Sequence, residues 1–439
     1  MIIPAIAIVA VFLAAWAWGR VALRWALVVA IFLSPMRGGL LALGNHFDLS
    51  DPGLTVNALV PAIIAGIALG VIVFVRPDWR GTPKPLLIGW ALFAFVAFTD
   101  ILFQTVGLKL YAVGLAQYLV YPTMAIAIWP LFEPGDLRRG VQILIAAGTV
   151  VALTVMLQAT GLESFIQAAT SQVDGLAAGR FAGITGSYLH TSAFLGTCAV
   201  LTMGEFLVSD SRRRQAVICV ILAALLSGLN LTFSRSGVMI SLIGAATLFL
   251  FAARGNRARF VLIGLVPAMI VALIIGTLGG VTPTEATNRV GSGLSPSADK
   301  GNELRSTAIQ DGFDQARSNP LKRKIFGEGL AYTGNARQLV GGDVLAVESY
   351  YVKLLLEVGI LGLLLIGAFL VWAGYRFASL AISRAGPTAA SVGAAGLGLS
   401  LYNIIYPALE TQILSMAWWL LLVLCLWSRR EDPADPDSA

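Results

Sequence analysis

Charge is scarce in this chain, and histidine and cysteine scarcer still. Charged side chains make up 12% of the 439 residues against 57% apolar, with a mean hydropathy of +0.81, a balance foreign to soluble domains. The two histidines, His46 and His190, stand far apart. All three cysteines, Cys198, Cys219 and Cys425, lie inside apolar runs, so no disulfide framework for a water-facing segment and no zinc spacing is present. No connection outside the tail carries a tight acidic cluster, and neither a metal nor another cofactor is expected. The chain also lacks a glycine-rich phosphate loop ending in Lys-Ser/Thr, a serine-nucleophile elbow and a zinc-protease helix. Basic residues are nowhere interleaved with aromatics as in a strand-binding groove, so nucleic acid is not an expected partner.

What the chain has in abundance is long apolar runs. They fall near 2–18, 21–35, 55–75, 85–103, 111–132, 140–160, 188–208, 215–232, 237–253, 260–280, 350–373, 388–409 and 411–427. A span needs roughly 20 apolar residues, and runs without strand alternation can satisfy their backbone in lipid only as helices. The expectation is an all-α polytopic membrane protein, a bundle of about twelve or thirteen transmembrane helices. The first run has neither a preceding basic residue nor a separate cleavage pattern, and it reads as a retained helix. N-terminal spans occupy 1–280, a long polar segment 281–348, C-terminal spans 349–428 and a cytoplasmic tail 429–439, whose acidic, Pro-containing part Glu431 to Ala439 is expected to be disordered.

The cations alternate. Arg20 and Arg24, Arg76, Arg80 and Lys84, Arg138 and Arg139, Arg212 to Arg214, Arg254, Arg257 and Arg259, Arg376 and Arg384, and Arg429 and Arg430 occupy every second connection. The opposite short connections hold only Arg37, Lys109, Arg180 and Arg235. By the positive-inside rule the first set is cytoplasmic, and the polar segment lies on the other face with Arg180 and Arg235. The net charge of +6 follows from this bias.

Within the polar segment, Thr282 to Ser297 is rich in Ser, Thr, Gly and Pro and reads as irregular. From Asn302 a helix is expected, with Leu304, Ala308, Ile309, Phe313 and Ala316 at helical spacing and Asn319-Pro320 ending it. This amphipathic helix would lie along the membrane surface or over the bundle.

The chemistry-bearing candidates sit on the same side. Arg180, in Ala178-Gly179-Arg180-Phe181-Ala182-Gly183, and Arg235, in Ser234-Arg235-Ser236-Gly237, stand at membrane level and call for anionic partners. Arg305 makes a possible third. Together they suit a phosphate or pyrophosphate; singly, each can be an interfacial arginine reaching lipid phosphates. His190 is either a helix-end residue or a participant. Acidic candidates for a general base are Asp48, Asp51, Asp311, Asp314, Asp343 and Glu348, the last where the polar segment re-enters the membrane, a position that a helix dipole alone also favours. Phe181, Tyr188, Tyr332, Tyr350 and Tyr351 can stack on sugars or form an interfacial belt.

Four elements together resemble the O-antigen ligase and polymerase superfamily of bacterial envelope glycan assembly. They are Arg180 to Gly183 with Gly186 and His190, Ser234 to Gly237, the Arg305 helix leading through Asn319-Pro320 to Ile325-Phe326-Gly327-Glu328-Gly329, and Glu348-Ser349-Tyr350-Tyr351 running into Glu357-Val358-Gly359-Ile360-Leu361-Gly362. The resemblance implies a GT-C-like bundle that works without metal on undecaprenyl-pyrophosphate-linked glycans at the periplasmic face of the inner membrane. In it Arg180 and Arg235 hold the leaving pyrophosphate, and Glu348 accepts the acceptor's proton. Arg305, His190, Tyr350, Tyr351 and Asp343 bind substrate, and a chain-length regulator and a flippase are possible partners. In lipid A-core ligases a histidine followed by asparagine stands where this chain has Glu348-Ser349, and the departure favours a polymerase of the Wzy type. Two other readings stay open. One is a ligase that transfers finished glycan to lipid A-core. The other is a transporter of lipid-linked glycan, against which stand the few charges at mid-span and the unlike halves.

Overall fold

The computed structural model describes residues 2–46, 52–77, 81–102, 106–160, 181–232, 234–252, 300–333, 347, 349–383 and 385–430. Of these, 87% are helical and none forms a strand. Fifteen helices are used below: α1 Ile2–Trp18, α2 Arg20–Leu33, α3 Arg37–His46, α4 Pro52–Gly70, α5 Lys84–Asp100, α6 Leu108–Ile128, α7 Asp136–Ala159, α8 Tyr188–Val208, α9 Arg212–Leu231, α10 Arg235–Ala252, α11 Lys300–Ser318, α12 Leu321–Phe326, α13 Tyr350–Ala381, α14 Pro387–Ile405 and α15 Gln412–Arg430. Among the described residues nine helical stretches are long and apolar enough to cross a membrane, and Ile2–Trp18 and Ser236–Leu248 are shorter apolar helices. The chain is a multi-pass, all-α membrane protein. Of the expected spans, 260–280 lies outside the described residues, as do the irregular stretch Thr282 to Ser297 and the tail from Glu431.

Two helices form the axis of the bundle. In α8 and α15, 89% of the apolar window is buried, so these helices meet protein on nearly all sides. Helix α8 packs against α7, α9, α10 and α14, and α15 against α6, α13 and α14. Lipid gives no hydrophobic drive for helix association, so close packing must supply it, and small residues permit that. Helix α14 accordingly presents Ala389, Ala390, Gly393, Ala394 and Gly396, all buried, and the Phe377 ring lies against Gly396. Phe93, Phe369, Trp418 and Trp419 pack beside this seam in stacked and edge-on pairs 5.1–6.3 Å between centroids.

The bundle has two chemically distinct ends. At one, Arg24 bonds Glu133 at 2.8 Å and also Asp136, and Arg139 reaches Asp136 at 3.3 Å. Beside them, Glu205 receives Arg138 at 3.2 Å, Arg214 at 3.3 Å and Gln142 at 3.2 Å. Arg24 holds the Glu133 carboxyl below its ordinary pKa, chiefly through their hydrogen bond. Arg429 joins the same end through Ser379. The connections at this end are those the positive-inside rule groups together.

The polar segment does not stand apart from the bundle. Helix α11 buries Gly312 and Ala316 against Val352 and Leu356 of α13, so it lies over the bundle. It starts at Lys300, two residues before the expected cap. Phe313, expected on its apolar face, is 43% exposed, because the contact with α13 is made through the narrow Gly312–Ala316 strip. Helix α12 and the turns after it dock on α13 where that helix breaks: Gly359 has φ +69°. An alanine Cβ there would sit 2.3 Å from the Ile325 carbonyl oxygen. Gly359→Ala should therefore cost about 2 kcal/mol or more, from the left-handed backbone and the clash together. The apparent melting temperature of the purified variant checks this, with Gly81→Ala as the control expected to change little, since no atom lies within 4 Å of a Cβ at Gly81.

Candidate active site

The end opposite the arginine–carboxylate pairs is built on that break. A helix interrupted at Gly359 leaves carbonyls of the preceding turn without their usual donors, and in a membrane interior those groups must be bonded by protein. Glu328 N donates to Leu356 O at 2.9 Å and Gly329 N to Glu357 O at 3.0 Å. The same chain segment then completes the Glu357 side chain. Thr333 N and Oγ1 donate to Glu357 Oε1 at 3.0 and 2.8 Å, and Tyr118 Oη donates to Oε2 at 3.0 Å. Lys353, one helical turn earlier, bonds Glu357 Oε1 at 2.5 Å and stands 3.7 Å from Glu410 Oε2. Lys353 and Glu357 are 1% and 0% exposed, so neither charge can be relieved by water. Leu330 N meanwhile donates to Asp100 Oδ2 at 2.9 Å, tying the segment to the end of α5.

A second wall comes from the N-terminal half. The loop before α8 is held by Gln158, whose Oε1 accepts from Ala182 N at 3.1 Å and Gly183 N at 2.8 Å, and by Phe181 N, which donates to Leu231 O at 3.3 Å. Its Gly186 lies against Gly38 of α3, where a Cβ on Gly38 would be 2.5 Å from Gly186 N. His190 Nε2 and Tyr406 Oη share a hydrogen bond of 2.7 Å, and Tyr406 stacks on Tyr402 at 5.2 Å between centroids. Ser192 Oγ and Ser234 Oγ each meet Ser236 Oγ at 2.8 Å. Those bonds fix the start of α10 against the first turns of α8. Arg37 is within Coulombic reach of Tyr406, Glu410 and His190.

The anticipated residues distribute as follows. Arg180, Asp343 and Glu348 lie outside the described residues, as do Asp48 and Asp51. Phe181, next to Arg180, is bonded to Leu231, four positions before Arg235. Arg235 begins α10 and Arg305 lies in α11; their side chains are outside the described set. His190 is buried at the start of α8. Tyr350 is buried in the core and Tyr351 partly buried against it. Val347 and Ser349, which flank Glu348, are 8% and 5% exposed. Asp311 and Asp314 are exposed on the outer face of α11, where Asp314 meets Arg317 at 3.7 Å. His46, at the end of α3, is exposed, and Tyr188 and Tyr332 are half-buried.

The sequence pattern marks Arg37 only as a cation of an outer connection and Glu357 only as part of a motif, and it does not single out Asp100, Lys353, Tyr406 or Glu410 as site residues. A signal did exist: Lys353 and Glu357 are four apart inside an apolar run, where ionisable residues are rarely idle. Both stand in the first two turns of α13, near its end and away from mid-span. Among the described residues no three His, Cys, Asp or Glu side chains come together as a metal site.

Removing one member of this buried pair strands the other. Lys353→Met should destabilise the protein by about 3–5 kcal/mol, and the double variant Lys353→Met/Glu357→Gln should recover most of the loss. Melting of the detergent-solubilised variants, with and without the second change, measures the coupling. Equal loss in single and double variants would refute it.

No curated protein matches the chain. A family model described as O-antigen ligase matches residues 218–367, which run from within α9 to the middle of α13 and contain Arg235, Arg305, Asp343, Glu348, Lys353 and Glu357. Arg37, Arg180, His190 and Glu410 fall outside the matched stretch. The match supports a glycosyl-transfer enzyme of the ligase or polymerase type. Over residues 218–367, then, this multi-pass membrane protein is similar to the O-antigen ligase family.

Proposed function

We propose that the chain is a glycosyltransferase that polymerises undecaprenyl-pyrophosphate-linked oligosaccharide repeat units into O-antigen, capsule or exopolysaccharide at the periplasmic face of the inner membrane. The supporting observation is the arrangement at the His190 end. The residue after Arg180 is bonded to the end of α9, and α10 begins at Arg235 with its first turn bonded to α8. The segments that lead into α8 and α10 are thereby tied to the same helices, α8 and α9, which supports a shared role for the arginines they carry.

The chemistry of this reading is a direct displacement. An acceptor sugar hydroxyl attacks the anomeric carbon of the donor glycan, its new C–O bond forming as the bond to the lipid pyrophosphate breaks. The bonding pair leaves with the pyrophosphate, and the hydroxyl proton passes to Glu348. Pyrophosphate is already a good leaving group, so stabilising its growing charge matters most. Arg180 and Arg235, with Arg305, do this where many transferases use a divalent cation. Direct displacement inverts the anomeric configuration. The Glu348-Ser349 pair favours a growing glycan as acceptor over lipid A-core, and the arginine–carboxylate end then faces the cytoplasm.

Purified protein given lipid-linked repeat units should yield a ladder of longer lipid-linked glycans. Transfer to lipid A-core would make it a ligase, and translocation across liposomes without lengthening would make it a transporter. Arg180→Ala and Arg235→Ala, shown to be folded and inserted, should each lower the rate by about 100-fold or more, and normal polymerisation by both would end the pyrophosphate assignment. Retained activity in Glu348→Ala would move the base to Asp343 or His190. Orientation is checked separately. A cysteine replacing His46 should react with a membrane-impermeant maleimide added to intact spheroplasts, and one replacing Arg213 only after lysis.

A further inference from the structure

Arg37 lies where α2 ends in the 3-10 turn Ser34–Met36 and α3 begins. Its place in the fold is tightly set, because the adjoining Gly38 touches the Gly186 backbone directly. Its Nε is shut off from solvent and has no hydrogen-bond partner. Among the described residues no salt bridge includes it, although Glu410, Tyr406 and His190 are within Coulombic reach. Glu410 is already engaged by Lys353 at 3.7 Å, and His190 shares its Nε2 with Tyr406. The groups facing this guanidinium are thus committed to other partners. A half-buried guanidinium with an idle, shielded Nε and neighbours otherwise engaged is set up for an anion supplied from outside the chain.

We infer that Arg37 is a further contact for the phosphate of a lipid-linked substrate, acting from the N-terminal half of the bundle. This rests on the reading given under Proposed function. The Nε and one Nη of arginine form a side-on fork that matches two phosphate oxygens, and an unbonded Nε leaves that fork open. Arg37 adjoins the loop that follows Arg180 and sits in reach of His190, whose helix α8 is bonded to the start of α10 at Arg235. Arg37 is a binding and positioning residue in this account; the breaking bond is served by the others.

The test uses the full chain in nanodiscs of zwitterionic lipid, titrated with undecaprenyl pyrophosphate and, separately, with undecaprenol, which has the same tail and no phosphate. Arg37→Gln should weaken pyrophosphate binding by about 10- to 100-fold and leave undecaprenol binding unchanged, with Arg37→Lys between them. Wild-type affinity in Arg37→Gln overturns the inference, and so does an equal loss for undecaprenol, which marks a structural role. If Arg37→Gln does not fold, Arg37→Lys carries the same comparison, and a loss selective for the pyrophosphate supports the inference. Competition by phosphatidylglycerol separates substrate from bilayer: a loss confined to phosphatidylglycerol assigns Arg37 to lipid headgroups and overturns it. A wild-type chain that binds no undecaprenyl pyrophosphate overturns the functional reading as well, whereas wild-type binding that Arg37→Gln leaves intact overturns this inference alone.

Discussion

A carbonyl freed inside a membrane has no water to turn to, and the break in α13 at Gly359 frees several at once. Their donors come from the polar segment, through Glu328 and Gly329. That constraint makes the turns after α12 part of the bundle instead of an appendage. It also sets the register of the residues that follow. Thr333 arrives at Glu357, Leu330 at Asp100, and Tyr332 accepts a bond from Gln315 of α11 at 2.9 Å. One glycine dihedral thus decides where the last described turns of the water-facing segment can lie.

Buried charge is the second consequence. Glu357 would be untenable at 0% exposure without compensation, and it has it from Lys353, Tyr118 and Thr333. Lys353 then extends the network to Glu410 on the connection between α14 and α15, so three distant parts of the chain are joined at one end of the bundle. At the other end the arginines are paired with Glu133, Asp136 and Glu205. The contrast is chemical. At the first end Arg24, Arg138, Arg139 and Arg214 meet carboxylates of the chain, and at the second Arg323 meets Glu328 while Arg37, among the described residues, is in no salt bridge.

Much of this could be read in advance where a local rule applied. Apolar runs located the helices because lipid permits few alternatives, and the alternation of arginines grouped the connections that Arg24–Asp136 and Arg138–Glu205 bring together. The helix after Asn302 was visible in its spacing, yet its contact face was misjudged at Phe313, since periodicity gives a stripe and not the partner that narrows it. The Ser234–Gly237 element was noticed for its arginine. Its serines turn out to hold α10 to α8, a role composition does not signal. Lys353 and Glu357 were hidden by the hydropathy of their surroundings.

Covalent order alone was enough to establish the membrane class, the helical architecture and the asymmetry of charge, because each depends on residues near one another along the chain or on the solvent they face. Which groups complete one another was settled by packing. Tyr118 and Glu357 are 239 positions apart, and His190 and Tyr406 are 216 apart. No spacing rule reaches across such distances. The distinction between a satisfied charge and an available one depends on geometry of that kind, since a guanidinium advertises its charge in the sequence but not the partners that neutralise it.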